Sequence, residues 1–489
     1  MITRVRTHIP TLMSILILAA CGGGGSGSGN SGSSGSGSGS GSGAGFPATQ
    51  YTDLCSETLV NNNNRKLVNY SPLAKPTKGQ PVTDPDFGTT IVRITDAQTD
   101  WAATIGSASV AIPVYPTVGA WNADESLLFL YVTSSTFQGW GLFDGKTYAF
   151  KQWLNINPAD IEEVYWDTLN PDLLYFINNN QGTYAQLTRY HVSTGTTDIL
   201  HDFFSDMAAG GVLNGVCPTN TLFRDASHNP FMPSQDNDLF GVGCELNQTD
   251  PVTGEELFAA FAYRVSTGTI VNTPVSGYEV MFPEPLPSDR GMFTGTTTSS
   301  ETLNTNTNAV LQTFAWNGWE HEDLLRSASG DDLIAGAQYD DPSGSGTIMW
   351  ADLTKGGAVN TLIGPATGLD PYPPSGTLLS GTAFTNPGWI AEGTTGNIQA
   401  TSTYIDQEVI VANLDTGKFC RVAHHRSTGD WSNATQSNYW AQPNVILSPS
   451  GTRILFASDW GAATPGSSVT ANPNAVVDTY VIELPTYSP

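Results

Sequence analysis

Residues 421–460 read RVAHHRSTGDWSNATQSNYWAQPNVILSPSGTRILFASDW. The second half is the more legible. An apolar run ending at Leu447 meets Ser448-Pro449-Ser450-Gly451, and a second run follows from Ile454 to Ser458. Pro fixes φ at the turn, and Gly supplies the positive φ that closes it. The residues beyond are β-branched and aromatic, as a buried strand requires. The first half crowds His424, His425, Arg426, Trp431, Tyr439, Trp440 and Gln442 into a short polar connection. That crowding makes it the first place to look for a site.

The same turn-then-strand unit recurs along the chain. Trp121 to Ser126 leads into Leu127 to Val132, Leu169 to Asp172 into Leu173 to Ile177, and Ser327 to Asp331 into Leu333 to Ala335. A second piece repeats nearly word for word: YHVSTGT at 190–196 and YRVSTGT at 263–269. Asp144-Gly145 and Asp415-Thr416-Gly417 read as further hairpin turns. No amphipathic helix interrupts the series. Short strands repeating every few tens of residues imply an all-β fold, a β-propeller of about seven blades. The blades fall near 115–152, 162–202, 218–273, 277–315, 319–362, 376–422 and 440–485. The propeller is expected over 89–489, with the alternating strand near 89–96 completing the last blade and closing the ring.

The N-terminus carries other instructions. Arg4 and Arg6 precede an apolar run from Leu12 to Leu18, which ends in Leu18-Ala19-Ala20-Cys21. This resembles a bacterial lipoprotein signal spanning 1–20, with Cys21 as the lipidated residue, and Gly22 after it implies the outer membrane or cell surface. The plainer alternative is an ordinary secretory signal with a chance Cys. Residues 22–45 are nearly all Gly and Ser. They cannot bury a core, and as a flexible tether they reach roughly 27 Å. Residues 46–88 read as a loop-rich arm lying on the fold. The 19 basic residues less Arg4 and Arg6 leave 17 against 45 acidic ones, a net of −28. That argues against nucleic acid and anionic lipid surfaces as partners, and makes a polyanionic substrate awkward unless the site is locally basic. The lipid anchor itself implies a membrane.

Beyond Cys21 the cysteines are Cys55, Cys217, Cys244 and Cys420, with no CxxC pair. An even count in an exported chain suggests two disulfides. The favoured pairs are Cys217–Cys244, neighbours in one blade, and Cys55–Cys420, which would pin the arm. Free buried thiols are the alternative.

The last blade, SPSGTRILFASDWG followed by DTYVIEL, resembles the blades of TolB-like and oligogalacturonate-lyase-like propellers, a WD40-like repeat architecture. The close match covers about one blade, and the rest matches in rhythm. In the lyases a His-Pro-His before the last turn ligates a divalent metal. Here the segment is Gln442-Pro443-Asn444. Amide oxygens suit calcium and hold manganese-type ions poorly. His321 could match another family ligand, so the resemblance implies at most a calcium or manganese ion on His321, Gln442 and Asn444.

Register carries between blades if their turns are aligned. Ser448 set on Ser327 puts Gln442 level with His321, and the same count back from Thr168 reaches Glu162. These residues, with the 423–441 crossover, are expected at one channel mouth. Uronate β-elimination needs a carboxylate neutraliser, a base and an acid. Arg426, His424 or His425, and Tyr439 are residues of the right types. Trp431 and Trp440 could stack on sugars. In the plainer reading, the two histidines hold the crossover, Arg426 pairs with a nearby acid and the tryptophans pack between sheets. Three functions follow: a module binding a glycan or protein at the mouth, a polysaccharide lyase, or a scaffold in an envelope complex.

Overall fold

The structure, a computed structural model, describes residues 52–55, 60–61, 70–180, 184–224, 233–249, 256–278, 284–295, 299–315, 321–338, 347–356, 358–364, 367, 378–394, 405–428, 440–461 and 476–488. The leader, Cys21, the Gly/Ser segment, Trp431 and Tyr439 lie outside them.

Seven antiparallel sheets follow one another along the chain. Blade 1 comprises Ala108–Ile112, Leu127–Ser134, Gln138–Asp144 and Phe150–Trp153. Blade 2 comprises Tyr165–Trp166, Leu173–Asn180, Tyr184–His191 and Thr196–Asp202. Blade 3 runs from Phe223–Arg224 through Leu239–Thr249 and Glu256–Arg264 to Thr269–Ile270, with Val275–Tyr278 also on Glu256–Arg264. Blade 4 is shorter, from Glu284–Pro285 to Val310–Phe314. Blade 5 opens with His321–Arg326 and closes with Asn360–Ile363. Blade 6 opens with Leu378–Ser380 and ends with Lys418–His424. Blade 7 opens with Ile446–Leu447 and continues through Arg453–Ser458 and Asp478–Glu483.

The ring is closed by chain from the other end. Thr90–Arg93 pairs antiparallel with Asp478–Glu483, Thr90 opposite Glu483 and Arg93 opposite Tyr480, and Pro81–Thr83 adds outside it. The strand expected near 89–96 therefore completes blade 7. A second latch crosses the same seam: Glu125 of blade 1 accepts from Ser450 N at 2.6 Å and from Arg453 Nη2 at 2.6 Å. Each of the seven seams between neighbouring sheets has its own apolar cluster, such as Phe129 with Trp166 between blades 1 and 2, and Phe456 with Trp389 between blades 6 and 7. Only a circle gives seven sheets seven seams.

The repeated turns do the same work twice. In blade 2, Asp172 accepts from Ser193 N and Oγ; in blade 3, Asp238 accepts from Ser266 N and Oγ. The glycines two residues on, Gly195 and Gly268, take φ of 68° and 66°, where a side chain would be strained. Both expected disulfides form. Cys217–Cys244 lies in blade 3, and Cys55–Cys420 ties the arm to the last strand of blade 6. Among the described residues, helix includes the single turn Ala102–Ile105 and a 3-10 turn at Phe203–Met207, and none is long and apolar enough to cross a membrane.

Candidate functional site

A cleft on the ring axis is lined by Thr168, Gln235, Pro285, Asp323 and Thr382, one from each of five successive blades. The first strand of each blade is therefore the inner one. Asp323 faces this cleft, but its Oδ2 accepts from Gly381 N at 2.6 Å, and burial raises its pKa well above the usual carboxylate range. It is a satisfied structural acid.

The other end of the channel is where inner strands begin. His321 opens the inner strand of blade 5, opposite Ala337. Gln442 lies four residues before Ile446, and Glu162 three before Tyr165. All three lie at or just before the start of a blade's first strand. Only the backbone of His321 is described. Gln442 is buried, and Asn444 is half-buried in a left-handed backbone conformation with φ 40°.

Near Trp440 and Glu162, both named from the sequence, the structure adds Tyr131, Trp140 and Arg224, which the sequence pattern did not reveal. Trp440, half-buried, stacks on Tyr131 with centroids 6.0 Å apart and rings 18° from parallel. Trp140 meets Tyr131 edge-on at 5.7 Å and donates from Nε1 to Ile161 O at 3.2 Å. Glu162 follows directly, half-buried. Burial first, and the Asp160 charge second, push its pKa up to about 8, while Arg224 pulls the other way. Arg224, in the inner strand of blade 3, has its guanidinium 4.7 Å from the Phe258 ring centre. An Arg in an inner strand of a chain this poor in basic residues was the available signal. The long stretch between Arg224 and the next turn at Ser234 hid its register.

The histidine–arginine run does not join this set. His424 ends the fourth, outer strand of blade 6 and is fully buried. What covers it is the N-terminal arm. Tyr70 and Phe87 place their rings 5.0 and 4.9 Å from its own, and Asp86 Oδ2 lies 3.2 Å from Nδ1. Desolvation, with the Arg426 charge behind it, drives its pKa down to about 2. His425 is equally buried. Its Nδ1 accepts from Ser427 N at 3.0 Å, which leaves Nε2–H to donate to Thr394 O at 2.7 Å; burial takes its pKa down to about 4. Arg426 Nη1 donates to Ser71 O at 2.9 Å, and its plane lies over Tyr70 at 4.8 Å. The sequence reading puts these three at the channel mouth; their described contacts are with the arm, with strand ends of blade 6 and, for Arg426, with Trp460 of blade 7. Neither imidazole is open to a substrate in this packing. The physical reason is non-local: the arm, some 340 residues upstream, folds over them. Arg426 faces Asp84, with Nη2 to Oδ2 at 3.5 Å.

No protein-family model matches the sequence, and no curated protein matches it. Solved structures do. An oligogalacturonate lyase in complex with manganese aligns with a TM-score of 0.55 at 13% identity, over 83% of this chain and 96% of its own. An oligogalacturonate lyase from Vibrio parahaemolyticus aligns with a TM-score of 0.51 at 11% identity, again over 83% and 96%. At such identities the likeness shows the fold alone. Where the resemblance expects imidazoles, Gln442 and Asn444 offer amide oxygens, which hold a manganese-type ion poorly. The chain is thus a seven-bladed β-propeller, similar in fold to the oligogalacturonate lyases.

Proposed function

We propose that this propeller is a binding module that takes an oligosaccharide at the mouth formed by Trp440, Glu162, Arg224 and Gln442. One set of contacts supports the reading: a half-buried Trp stacks on Tyr131, Tyr131 meets Trp140, and Trp140 binds the carbonyl of Ile161, next to a carboxyl of pKa about 8 that feels the Arg224 charge. Apolar sugar faces stack on such rings, and a carboxyl that is largely protonated at neutral pH both donates and accepts toward hydroxyls. The two lyases described above carry oligogalacturonate in their names, which makes uronate oligomers the first ligands to try. Isothermal titration with oligogalacturonate, alginate oligomers and a neutral oligomer tests the reading. Trp440→Ala and Arg224→Gln should each weaken the best ligand about tenfold or more with the circular dichroism spectrum unchanged. Wild-type affinity in both variants would remove the module from this mouth.

A second reading has its own support. Glu162, deprotonated above about pH 8, and Arg224, able to neutralise a substrate carboxylate, are two of the three groups that β-elimination needs. Unsaturated uronate absorbance that grows with time, and vanishes in Glu162→Gln, would replace the binding module with a lyase.

The leader motif supports display outside the cytoplasm on a lipidated Cys21. Detergent-phase partitioning that is lost in Cys21→Ser checks this.

A further inference from the structure

The acids over His424 form a cluster that the mouth does not use. Asp84 and Asp86 stand on a turn of the arm, and His424 ends the outer strand of blade 6. One ligand atom from each lies within 4.8 Å of the others. His424 is fully buried, yet neither ring nitrogen makes a hydrogen bond. A buried, unsatisfied imidazole is costly, and its Nδ1 is aimed at a carboxylate.

We propose that Asp84, Asp86 and His424 hold one divalent transition-metal ion, such as zinc, which clamps the arm to the propeller. The Nδ1 to Asp86 Oδ2 separation is 3.2 Å. Two ligands of a tetrahedral zinc stand about 3.3 Å apart, given metal–ligand bonds near 2.0 Å. Asp84 is already oriented: Oδ1 accepts from Asp86 N at 2.9 Å and Phe87 N at 3.2 Å, while Oδ2 takes one long bond from His424 N at 3.4 Å and, like Asp86 Oδ2 with its bond from Ser71 N at 2.9 Å, keeps a lone pair for the ion. On the far side of the ring, Nε2 faces Glu408 Oε1 at 3.9 Å, and Glu408 is held by Arg421. A carboxylate behind a ligating imidazole is the usual outer support of such sites. One imidazole among the ligands favours zinc, cobalt or manganese over calcium.

Arg426 is the competitor for this role and does not fill it. Its Nη2 stands 3.5 Å from Asp84 Oδ2 and 4.0 Å from Asp86 Oδ2, and makes no hydrogen bond. Nη1 is committed to Ser71 O, while Tyr70 and Trp460 hold the guanidinium plane at 4.8 and 5.7 Å.

The test uses the full chain, stripped with a chelator and titrated with zinc, cobalt and calcium separately. One zinc per chain, a rise in Tm on zinc, and cobalt ligand-field bands typical of low coordination are expected, with no competition from calcium. Asp86→Asn, at the rim, should weaken zinc at least a hundredfold, while Asp236→Asn, in a separate acidic cluster, leaves it unchanged. If Asp86→Asn fails to fold, the wild-type stoichiometry and cobalt spectrum still decide. Absence of zinc uptake, preference for calcium, or zinc binding unchanged in a folded Asp86→Asn would each overturn the proposal.

Discussion

Glu162 and Glu408 are two carboxyls whose surroundings raise their pKa toward neutral pH, and their roles differ. Glu162 is lifted from 4.5 to about 8, chiefly by burial. Between those values the folded chain binds the proton and the unfolded chain does not, so stability falls as pH rises from about 5 to 8. Glu162→Gln should flatten that part of the profile and raise stability at pH 8 by roughly 1–3 kcal/mol, the residue being partly solvated. Urea melts at pH 5 and 8 measure it; an unchanged slope would place the carboxyl in water. Glu408, lifted to about 7 by burial, is opposed by its ion pair with Arg421, both side chains being fully buried. Arg421→Met leaves that carboxylate alone and should cost about 3–5 kcal/mol at pH 8. The loss should shrink at pH 5, where Glu408 takes up a proton, and Arg421→Met/Glu408→Met should recover most of it.

Among the elements, the arm is the one whose hold on the fold is most open to measurement. It reaches blade 6 through Val60–Asn61, opposite Arg421 and Cys420, and through Cys55–Cys420. That bond closes a separation of 365 residues, against 27 for Cys217–Cys244. On chain-entropy grounds, replacing Cys55 and Cys420 by Ala should cost about 2 kcal/mol more than replacing Cys217 and Cys244. Equal losses in urea would show that strand pairing and buried acids, rather than the crosslink, hold the arm. The arm also explains what could be read in the sequence and what could not. Blades were legible because their signals are local: an S-T-G turn needs only its own glycine and an Asp one hairpin back, as at Asp172 with Ser193. The entry ends of the inner strands could be counted from those turns. The burial of His424 could not, because Tyr70, Asp84 and Phe87 decide it from the opposite end of the chain. For the same reason the Trp440–Tyr131 pair stayed hidden, since its rings come from the last and first blades across the ring closure.

At the scale of the whole molecule, charge works against the ligand class that the fold suggests. The chain carries a net charge of −26, while the mouth offers Arg224 against Asp160 and Glu162. A uronate oligomer approaching the ring therefore meets a repulsive long-range field and a short-range attraction. Salt acts on the two unequally. The Debye length is about 30 Å at 0.01 M and about 10 Å at 0.1 M, so added salt removes the repulsion well before it weakens a contact at the partly buried mouth. Affinity for an oligogalacturonate should accordingly rise several-fold between about 0.01 and 0.1 M salt, while a neutral oligomer of equal length shows little change. Titration calorimetry at three ionic strengths distinguishes the cases. Affinity that falls with salt would mean that the mouth attracts anions over distance, so that the field of Arg224 outweighs the surrounding acids instead of being overwhelmed by them.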